Sequence, residues 1–342
     1  MGVHRRPALL VVALAVALAG CAPGPMPVPT PTYTSTYVAP APESIAPLTG
    51  EVTAAQITTP SIAAKVDNHP DARPQFGLER TDIVFEELVE GGLTRYVAIW
   101  QSDVPAEIGP VRSIRPMDPD IISPFGGIVA YSGGQYRFVK AMEATGVYNA
   151  IHGQSDTADT FYRTDLRDSP HDVIVLAPQV IAQHLDLVAP TQQFPYSLDV
   201  PSSTAATDGT PISAVNLVIG VAATPGWAWD PAGLHYLRFM TGGAPDTDFA
   251  GAQLTTVNLV VLRVIVTYDD DVPKTELIGG GEAWISTGGG TIHGSWSKGS
   301  PTDRIRIIDD NGVPVRLAPG NTWIELVPLD GSVDFVAPAP AA

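Results

Sequence analysis

A single cysteine, Cys21, limits how this 342-residue chain can be stabilised. Without a second cysteine no intramolecular disulfide can form, even in an oxidising compartment. The fold must therefore depend on a hydrophobic core, and 44% of the residues are hydrophobic. Roughly 320 residues follow Cys21, which at ~100–200 residues per domain predicts two domains.

Cys21 also closes a segment that is typical of exported proteins. Arg5 and Arg6 precede an uncharged apolar run over residues 7–18, which is shorter than the ~20 residues of a membrane-spanning helix. This order predicts a signal peptide over residues 1–20. The four residues ending at the cysteine, Leu-Ala-Gly-Cys, resemble the lipobox of bacterial lipoproteins. We therefore expect lipidation of Cys21, with acyl chains such as palmitate anchoring the protein on the extracytoplasmic face of the cell membrane.

The net charge of −17 narrows the range of partners. Nucleic acid binding needs a basic surface, so we expect no nucleic acid partner. A polybasic attraction to anionic lipid is excluded for the same reason, which leaves the lipid on Cys21 as the expected contact with the membrane. The further partner we expect is an anionic envelope ligand or an envelope protein.

Proline-rich segments divide the chain. Residues 21–47 alternate proline with small and hydroxylated residues, a composition that favours an extended, disordered chain, so we predict a tether there. A proline- and serine-rich stretch over 191–211 predicts a linker, and 331–342 is predicted to be a disordered tail. These segments bound an N-terminal domain over 48–190 and a C-terminal domain over 212–330.

The two predicted domains differ in their pattern of apolar residues. In the N-terminal domain, short apolar runs alternate with helix-like segments, which predicts a mixed α/β or α+β fold. The C-terminal domain has β-branched runs separated by turn residues such as Asn311-Gly312, a pair that favours a type I′ hairpin turn, and this predicts a β-rich fold. The predicted N-terminal strands are 61–66, 94–100, 127–131 and 173–176, with helices over 136–145 and 178–187. The predicted C-terminal strands are 215–221, 234–239, 254–268, 282–286, 291–296, 304–308 and 321–327.

Several sequence strings occur in an order that is specific enough to indicate a family. They are Val66-Asp67-Asn68, Arg73-Pro74-Gln75, Glu90 to Arg95 and Ile108 to Pro116, followed by Tyr236 to Phe239, Gly294 to Lys298 and Gly320 to Trp323. Together they resemble the YerB-like family of bacterial lipoproteins, over residues 48–328. The resemblance implies an N-terminal and a C-terminal domain in an exported protein, and it implies no reaction. One string departs from the family pattern, because this chain has Pro170-His171-Asp172 where Pro-His-Asn is expected.

Arginines supply most of the positive charge of the otherwise acidic N-terminal domain. The guanidinium group can pair with a carboxylate or phosphate through two parallel hydrogen bonds, which suits an anion-binding cleft. The alternative is that these arginines neutralise buried carboxylates, of which the candidates are Asp67, Asp82, Glu86 and Glu90. The candidate ligand-binding residues are Asp67, Asn68, Arg73, Arg95, Arg112, Arg115, Ser132, Arg163 and Arg167.

Glu86 and Glu90 are candidate catalytic residues, because a spacing of four places both on one face of a helix or of a strand. On a helix their Cα atoms would lie ~6 Å apart, close enough for a general acid and base. On a strand they would lie ~13 Å apart, beyond the span of a glycosidase carboxyl pair. The alternation of residue types around Phe85 favours a strand for at least the first half of the segment. His171 is the third candidate acid or base.

The sequence motifs predict neither a metal site nor a cofactor. His152 and His171 occur near three aspartates, but their spacing matches no compact metal-binding motif. Ser132-Gly133-Gly134 lacks the Gly-Lys-Ser/Thr of a phosphate-binding loop and the Gly-x-Ser-x-Gly of a nucleophile elbow.

These observations favour a lipid-anchored binding or scaffold component of the cell envelope. The alternative is a hydrolase of a cell-envelope polymer with Glu86, Glu90, Asp67 or His171 as its acid or base, so the sequence leaves open whether the protein is an enzyme. An open cleft that holds the arginines and an unpaired carboxylate would favour the hydrolase. Carboxylates that are all bonded to arginines inside the fold would favour the scaffold.

Overall fold

The structure is a computed structural model that describes Gly2 and residues 43–340. The predicted lipidation site Cys21, the signal peptide apart from Gly2, and residues 21–42 of the predicted tether lie outside the described residues. Among the residues that are described, no helix has both the length and the apolar character needed to cross a bilayer.

β-Strands dominate residues 43–340. The first strands are β1 (Ser44–Ile45), β2 (Val52–Thr53), β3 (Ile62–Asp67), β4 (Ile83–Leu88), β5 (Thr94–Trp100), β6 (Ile128–Tyr131), β7 (Tyr148–Ile151), β8 (Phe161–Arg163) and β9 (Val173–Val175). They are followed by β10 (Thr210–Pro211), β11 (Ala214–Val218), β12 (Gly226–Asp230), β13 (His235–Phe239), β14 (Thr255–Thr256), β15 (Asn258–Asp269), β16 (Val272–Glu276), β17 (Gly279–Thr287), β18 (Gly290–Lys298), β19 (Arg306–Asp309), β20 (Thr322–Pro328) and β21 (Ser332–Val336). The α-helices of the same region are α1 (Asp118–Ile122), α2 (Tyr136–Glu143), α3 (Ala177–Gln183) and α4 (Thr204–Asp208).

One large sheet in the described chain runs through both of its halves. Its order is β10-β18-β17-β15-β20-β4-β5-β3-β6-β7, with β16 beside β15 and β19 beside β18. The halves meet at the parallel pair of β20 and β4, in which Glu325 lies opposite Glu86. A second sheet, ordered β14-β13-β12-β11-β21, comes from the C-terminal half alone. Backbone hydrogen bonds of the central sheet therefore join the two halves.

Strands β3, β4 and β5 are buried along their whole length because both faces of the central sheet are covered. On one face, which we call the helix-covered face, Ala63, Phe85 and Val97 pack in a core with residues of α1 and α2. On the other, the sheet-covered face, Val66 and Val84 pack with residues of β11 and β12. Successive residues of each strand therefore enter different cores.

Parts of the three proline-rich segments are folded. Residues 44–45 of the predicted tether form β1, which pairs with β2. In the predicted linker, Phe194 is buried, and the Ser197 N–H donates to Leu317 O at 2.8 Å. In the predicted tail, Ser332–Val336 form β21, which pairs with β11. The folded parts of the linker and the tail have partners more than a hundred residues away in the sequence, and composition alone does not reveal such partners.

Most predicted elements have an observed counterpart. The predicted N-terminal strands correspond to β3, β5, β6 and β9, and the helix predicted over 136–145 corresponds to α2. The second predicted helix is shorter than expected, because α3 ends at Gln183. The turn at Asn311-Gly312 is present, but only Gly312 has a positive φ, so it is not the predicted type I′ turn.

Candidate functional site

A row of charged residues crosses three strands on the helix-covered face. Arg95 of β5 lies opposite Asp67 of β3 on one side and Glu87 of β4 on the other. Directly opposed residues of paired strands point to the same face, so these side chains form a polar line in an otherwise apolar sheet. All three are buried. A buried charge needs a partner of opposite charge or strong hydrogen bonds.

The segment between β5 and α1 adds a second arginine to this row. The Asp67 N–H donates to Pro110 O at 2.9 Å, and the Arg112 N–H donates to Lys65 O at 2.7 Å. These backbone bonds hold the segment against the end of β3 and leave Arg112 Nε 3.1 Å from Asp67 Oδ2. On the other side of the segment, the Ser132 N–H donates to Arg112 O at 3.0 Å.

Asp67 also contacts a histidine from much later in the chain. His171 Nδ1 lies 2.6 Å from Asp67 Oδ2. Because a carboxylate only accepts hydrogen bonds, Nδ1–H is the donor, and in the neutral ring the lone pair is then on Nε2. The neighbouring Pro170 O accepts a hydrogen bond from Arg112 Nη1 at 3.2 Å. The Arg112 side chain is 22% exposed and that of His171 is 14% exposed, so this part of the site reaches solvent.

Arg95 is a buried guanidinium group that makes no ion pair with any described residue. It is 7% exposed, and Nη1 donates to Ser113 O at 3.0 Å. Burial and the positive charge of Arg115 lower the pKa of Arg95 to about 10. The hydrogen-bond acceptor of the charged Arg95 side chain is thus a neutral carbonyl oxygen.

Arg115, in contrast, has a carboxylate partner. Its Nε lies 2.8 Å from Glu90 Oε2, and its Nη1 donates to Ser113 O, the acceptor that it shares with Arg95. Burial alone would raise the pKa of Glu90, but the hydrogen bond and the charge of Arg115 outweigh burial and lower that pKa. We call Arg95, Arg112 and Arg115 the arginine cluster.

A fully buried ion triad supports the cluster. The Lys65 ammonium contacts Glu87 and lies 2.7 Å from Asp118 Oδ1. Asp118 Oδ2 accepts a hydrogen bond from the Arg115 N–H at 2.5 Å, which links the triad to the cluster. Burial lowers the pKa of Lys65 to about 8 against the opposing charge of Asp118. Because the three side chains of the triad are fully buried, they position the cluster and do not contact solvent.

The sheet-covered face holds a separate polar network around Arg238 of β13. Arg238 Nη2 lies 2.6 Å from Glu86 Oε2, Nη1 lies 3.0 Å from Glu325 Oε1, and Nε lies 3.0 Å from Asp246 Oδ2. The guanidinium carbon lies 4.6 Å from the centre of the Trp323 ring. All these side chains are buried. We call Arg238 and its three carboxyl partners the Arg238 network.

The Arg238 network has no room for a ligand. A cavity bordered by Glu86 and Arg238 has a volume of about 10 Å³, the space of one water molecule. Burial and the adjacent Glu86 carboxylate raise the pKa of Glu325 well above its ordinary value. Glu325 Oε1 accepts hydrogen bonds from Arg238 Nη1 and, at 2.7 Å, from Trp227 Nε1. The network therefore fills the interior and joins the two halves of the chain.

The structure brings together four of the predicted ligand-binding residues. Asp67, Arg95, Arg112 and Arg115 meet on the helix-covered face, and Ser132 adjoins them through its N–H group.

Asn68 and Arg73 belong to the other face. Asn68 Nδ2 donates to Glu86 Oε1 at 3.3 Å, and Arg73 Nη2 donates to Asn68 Oδ1 at 2.6 Å. Both residues are therefore neighbours of the Arg238 network.

Three further residues have other partners. Arg163 Nη1 lies 2.6 Å from Asp172 Oδ1, and Arg167 donates to Pro74 O. Asp82 accepts from the backbone N–H groups that follow β5, and no arginine within residues 43–340 forms a salt bridge with it.

Glu86 and Glu90 do not form a pair. Strand β4 ends at Leu88, and Glu90 lies in a short 3-10 turn beyond it. Glu86 is bound by Arg238 and Glu90 by Arg115. The inference of a shared face fails because it assumes one regular element throughout.

Sequence reasoning missed several members of both networks. They are Lys65, Glu87, Asp118, Arg238, Asp246 and Glu325. A signal for some of them exists in the sequence, because Lys65 and the adjacent pair Glu86-Glu87 are charged residues inside apolar runs. Such residues rarely enter a core unless they are paired.

A larger cavity lies away from both networks. It has a volume of about 600 Å³ and is lined by Lys298, Arg304, Arg306 and Asp303, among others. Burial lowers the pKa of Lys298 to about 8. None of the predicted site residues within the described part of the chain lines this cavity, and it provides a comparison for tests of anion binding.

Comparisons with known proteins agree with this two-part architecture. The N-terminal domain of the family described as "Protein of unknown function (DUF3048)" matches residues 48–187, and the C-terminal domain of that family matches residues 215–324. The chain is 27% identical over 288 residues to the Bacillus subtilis protein named "Putative lipoprotein YerB", covering 83% of this chain and 86% of the relative.

The crystal structure of YerB from Bacillus subtilis has a similar fold. The TM-score is 0.73 at 26% sequence identity, and the match covers 85% of this chain and 99% of that chain. The predicted resemblance is thereby confirmed. The chain belongs to the YerB-like family, with the N-terminal and C-terminal DUF3048 domains.

Proposed function

We propose that this protein is a lipoprotein, anchored through Cys21 on the extracytoplasmic face of the cell membrane, whose arginine cluster binds an anionic envelope ligand. The signal-peptide pattern before Cys21 and the lipoprotein name of the Bacillus subtilis relative support the anchor. The contacts on the helix-covered face support the binding site.

Arg95 is the observation that carries the binding proposal. Its guanidinium group is buried, makes no ion pair with a described residue, and bonds to the Ser113 carbonyl. The nearby carboxylates of Asp67 and Glu90 favour its charge, but neither forms an ion pair with it, so burial of the guanidinium group remains costly. A carboxylate or phosphate group would accept from N–H groups of Arg95 and offset that cost. Arg112, which is partly exposed, gives such a ligand a second guanidinium group.

The acids around the cluster already have cationic partners, and this favours binding over acid–base hydrolysis. Glu90 is paired with Arg115, and Glu87 is paired with Lys65. Glu86 is fully buried on the opposite face. Each of these carboxylates is therefore bound by a cationic side chain in the structure.

Isothermal titration calorimetry with inorganic phosphate and with glucuronate tests the proposed site. We expect the wild type to bind, and Arg112→Lys to bind at least ~10-fold more weakly, because lysine keeps the charge but loses the planar pair of donors. Arg306→Lys, in the 600 Å³ cavity, is the matched control and should bind as the wild type does. Equal weakening by both substitutions, or no binding by the wild type, would remove the arginine cluster as an anion site.

Incorporation of radiolabelled palmitate tests the anchor. The wild type should be labelled and recovered with membranes, whereas Cys21→Ser should be unlabelled, because a serine hydroxyl cannot replace the thiolate nucleophile. Label in the Cys21→Ser protein would contradict the proposed anchoring site.

The contact between Asp67 and His171 favours hydrolysis of an envelope polymer as a second candidate function. A carboxylate on Nδ1 and a lone pair on Nε2 are what a general base requires. Release of fragments from purified cell walls by the wild type, and no release by His171→Gln, would support it. Absence of release by the wild type would favour binding alone.

A further inference from the structure

The exposed side of His171 adjoins two other residues that can ligate a metal ion. His69 and Asp71, from the short segment after β3, and His171 each offer a ligand atom, and the three atoms lie within 4.8 Å of one another. The rings of His69 and His171 are stacked, with centroids 4.5 Å apart and planes inclined by 20°.

His171 has the orientation of a metal-binding histidine. Its Nδ1–H donates to Asp67 Oδ2 at 2.6 Å, which in the neutral ring fixes the tautomer that has its lone pair on Nε2. Histidines that bind metal usually donate their other N–H to a carboxylate in this way, and the carboxylate makes the ligand nitrogen more basic. Asp67 is 3% exposed and is also held by Arg112, so it is a fixed support for the ring.

His69 and Asp71 present a ligand pair at a suitable separation. The Asp71 N–H donates to His69 Nδ1 at 3.2 Å, so Nδ1 carries no proton. The same nitrogen lies 3.4 Å from Asp71 Oδ2. A tetrahedral zinc ion with bonds of ~2.0–2.1 Å holds its ligand atoms ~3.4 Å apart. A metal ion bound to His69 Nδ1 and Asp71 Oδ2 would replace the Asp71 N–H group as the partner of the Nδ1 lone pair.

We propose that His69, Asp71 and His171 bind a divalent transition metal ion of the zinc type, with Asp67 as the residue that orients His171. Two imidazoles and one carboxylate suit zinc better than calcium or magnesium, which prefer all-oxygen ligands. Three protein ligands also leave a fourth position for water or a ligand. The Asp71 side chain is 74% exposed and that of His69 is 35% exposed, so an ion can reach the site from solvent.

The proposal goes beyond anion binding and does not rest on it. It also excludes the general-base role of His171 in the loaded protein, because the metal would occupy the Nε2 lone pair that a base needs. The ligands come from positions 69–71 and 171. A separation of that size matches no compact sequence motif, and so the sequence predicted no metal site.

Titration of the metal-free full chain with Co²⁺, followed by visible absorption and then by competition with Zn²⁺, tests the proposal. We expect one Co²⁺ per chain with the absorption of a four-coordinate ion, displaced by Zn²⁺ and not by Mg²⁺. His69→Gln and His171→Gln should each weaken binding at least ~100-fold. Asp67→Asn should weaken it ~10–100-fold, the usual effect of losing a supporting carboxylate.

His184→Gln is the matched control, since His184 lies away from the three ligands, against Tyr148. It should bind Co²⁺ as the wild type does. His69 is partly exposed, so we expect His69→Gln to fold. This variant still tests the proposal if His171→Gln does not fold. Absence of Co²⁺ binding by the wild type, or equal binding by the folded His69→Gln protein, would overturn the proposal.

Discussion

Two neighbouring residues of β4, Glu86 and Glu87, point to opposite faces of one sheet and serve different networks. Glu86 binds Arg238 in a network that is sealed between the sheets. Glu87 binds Lys65 beneath the arginine cluster, and the rim of that cluster reaches solvent at Arg112. Adjacent residues of one strand thus belong to a network enclosed in the interior and to a network whose edge is accessible to a ligand.

The two networks also differ in where their members come from. Arg238 and Glu325 belong to the C-terminal half and Glu86 to the N-terminal half, so the Arg238 network joins the halves. The arginine cluster comes from the N-terminal half alone. We infer that the first network stabilises the fold and that the second is available for binding.

The largest expected effect comes from removing Arg238. Arg238→Met would leave Glu86 and Asp246 buried without a counter-charge, which should lower the free energy of unfolding by ~3–5 kcal/mol. Urea denaturation of the purified protein measures this. Arg306→Met, at an exposed position, is the control and should change stability by less than ~0.5 kcal/mol. A loss below ~1 kcal/mol for Arg238→Met would show that the network does not hold the halves together.

Glu325→Gln tests the protonation of the same network. Because the folded-state pKa of Glu325 is raised, the native protein holds a proton that the unfolded chain loses above pH about 4.5. The free energy of unfolding should therefore fall as pH rises above that value, until the folded-state pKa is passed. Glu325→Gln should remove this contribution and cost less than ~1 kcal/mol at neutral pH, because an amide resembles a protonated carboxyl group. Urea midpoints between pH 4 and 8 measure the difference, and identical pH slopes for both proteins would contradict it.

The smallest effect is expected on the other face. Arg95→Met removes a buried charge that has no ion pair among the described residues. The free energy of unfolding should therefore fall by less than ~1 kcal/mol, or it should rise. We expect phosphate to raise the melting temperature of the wild type, and Arg95→Met should lose this increase. If Arg95→Met lowered the free energy of unfolding as much as Arg238→Met, Arg95 would have a structural role. The two faces of the sheet would then not differ in function.

Local pattern predicted many of the strands and helices, because apolar runs and helical periodicity are properties of the residues themselves. Thr94–Trp100 of β5 and Tyr136–Glu143 of α2 are examples. The pattern could not predict that β20 pairs with β4, because that pairing joins segments more than two hundred residues apart. The packing of Phe194 and the pairing of β21 were missed for the same reason.

The arginines of the site could be predicted from their residue type, but their partners could not be predicted. The sequence predicts Arg112 and Arg115 as members of one anion site, yet Arg112 contacts Asp67 while Arg115 contacts Glu90. The sequence does not predict a site at Arg238, because two of its carboxyl partners are distant in the sequence and the third belongs to no motif. Ion pairs between distant segments depend on the fold, and sequence spacing does not encode them.

A crystal structure of the protein grown with selenate would test most directly whether the arginine cluster, and not the Arg238 network, binds anions. The anomalous scattering of selenium locates the ion without reference to its expected position. We predict a peak within hydrogen-bonding distance of Arg95 and Arg112. Selenate found only beside Lys298 and Arg306, with none at the arginine cluster, would contradict the account.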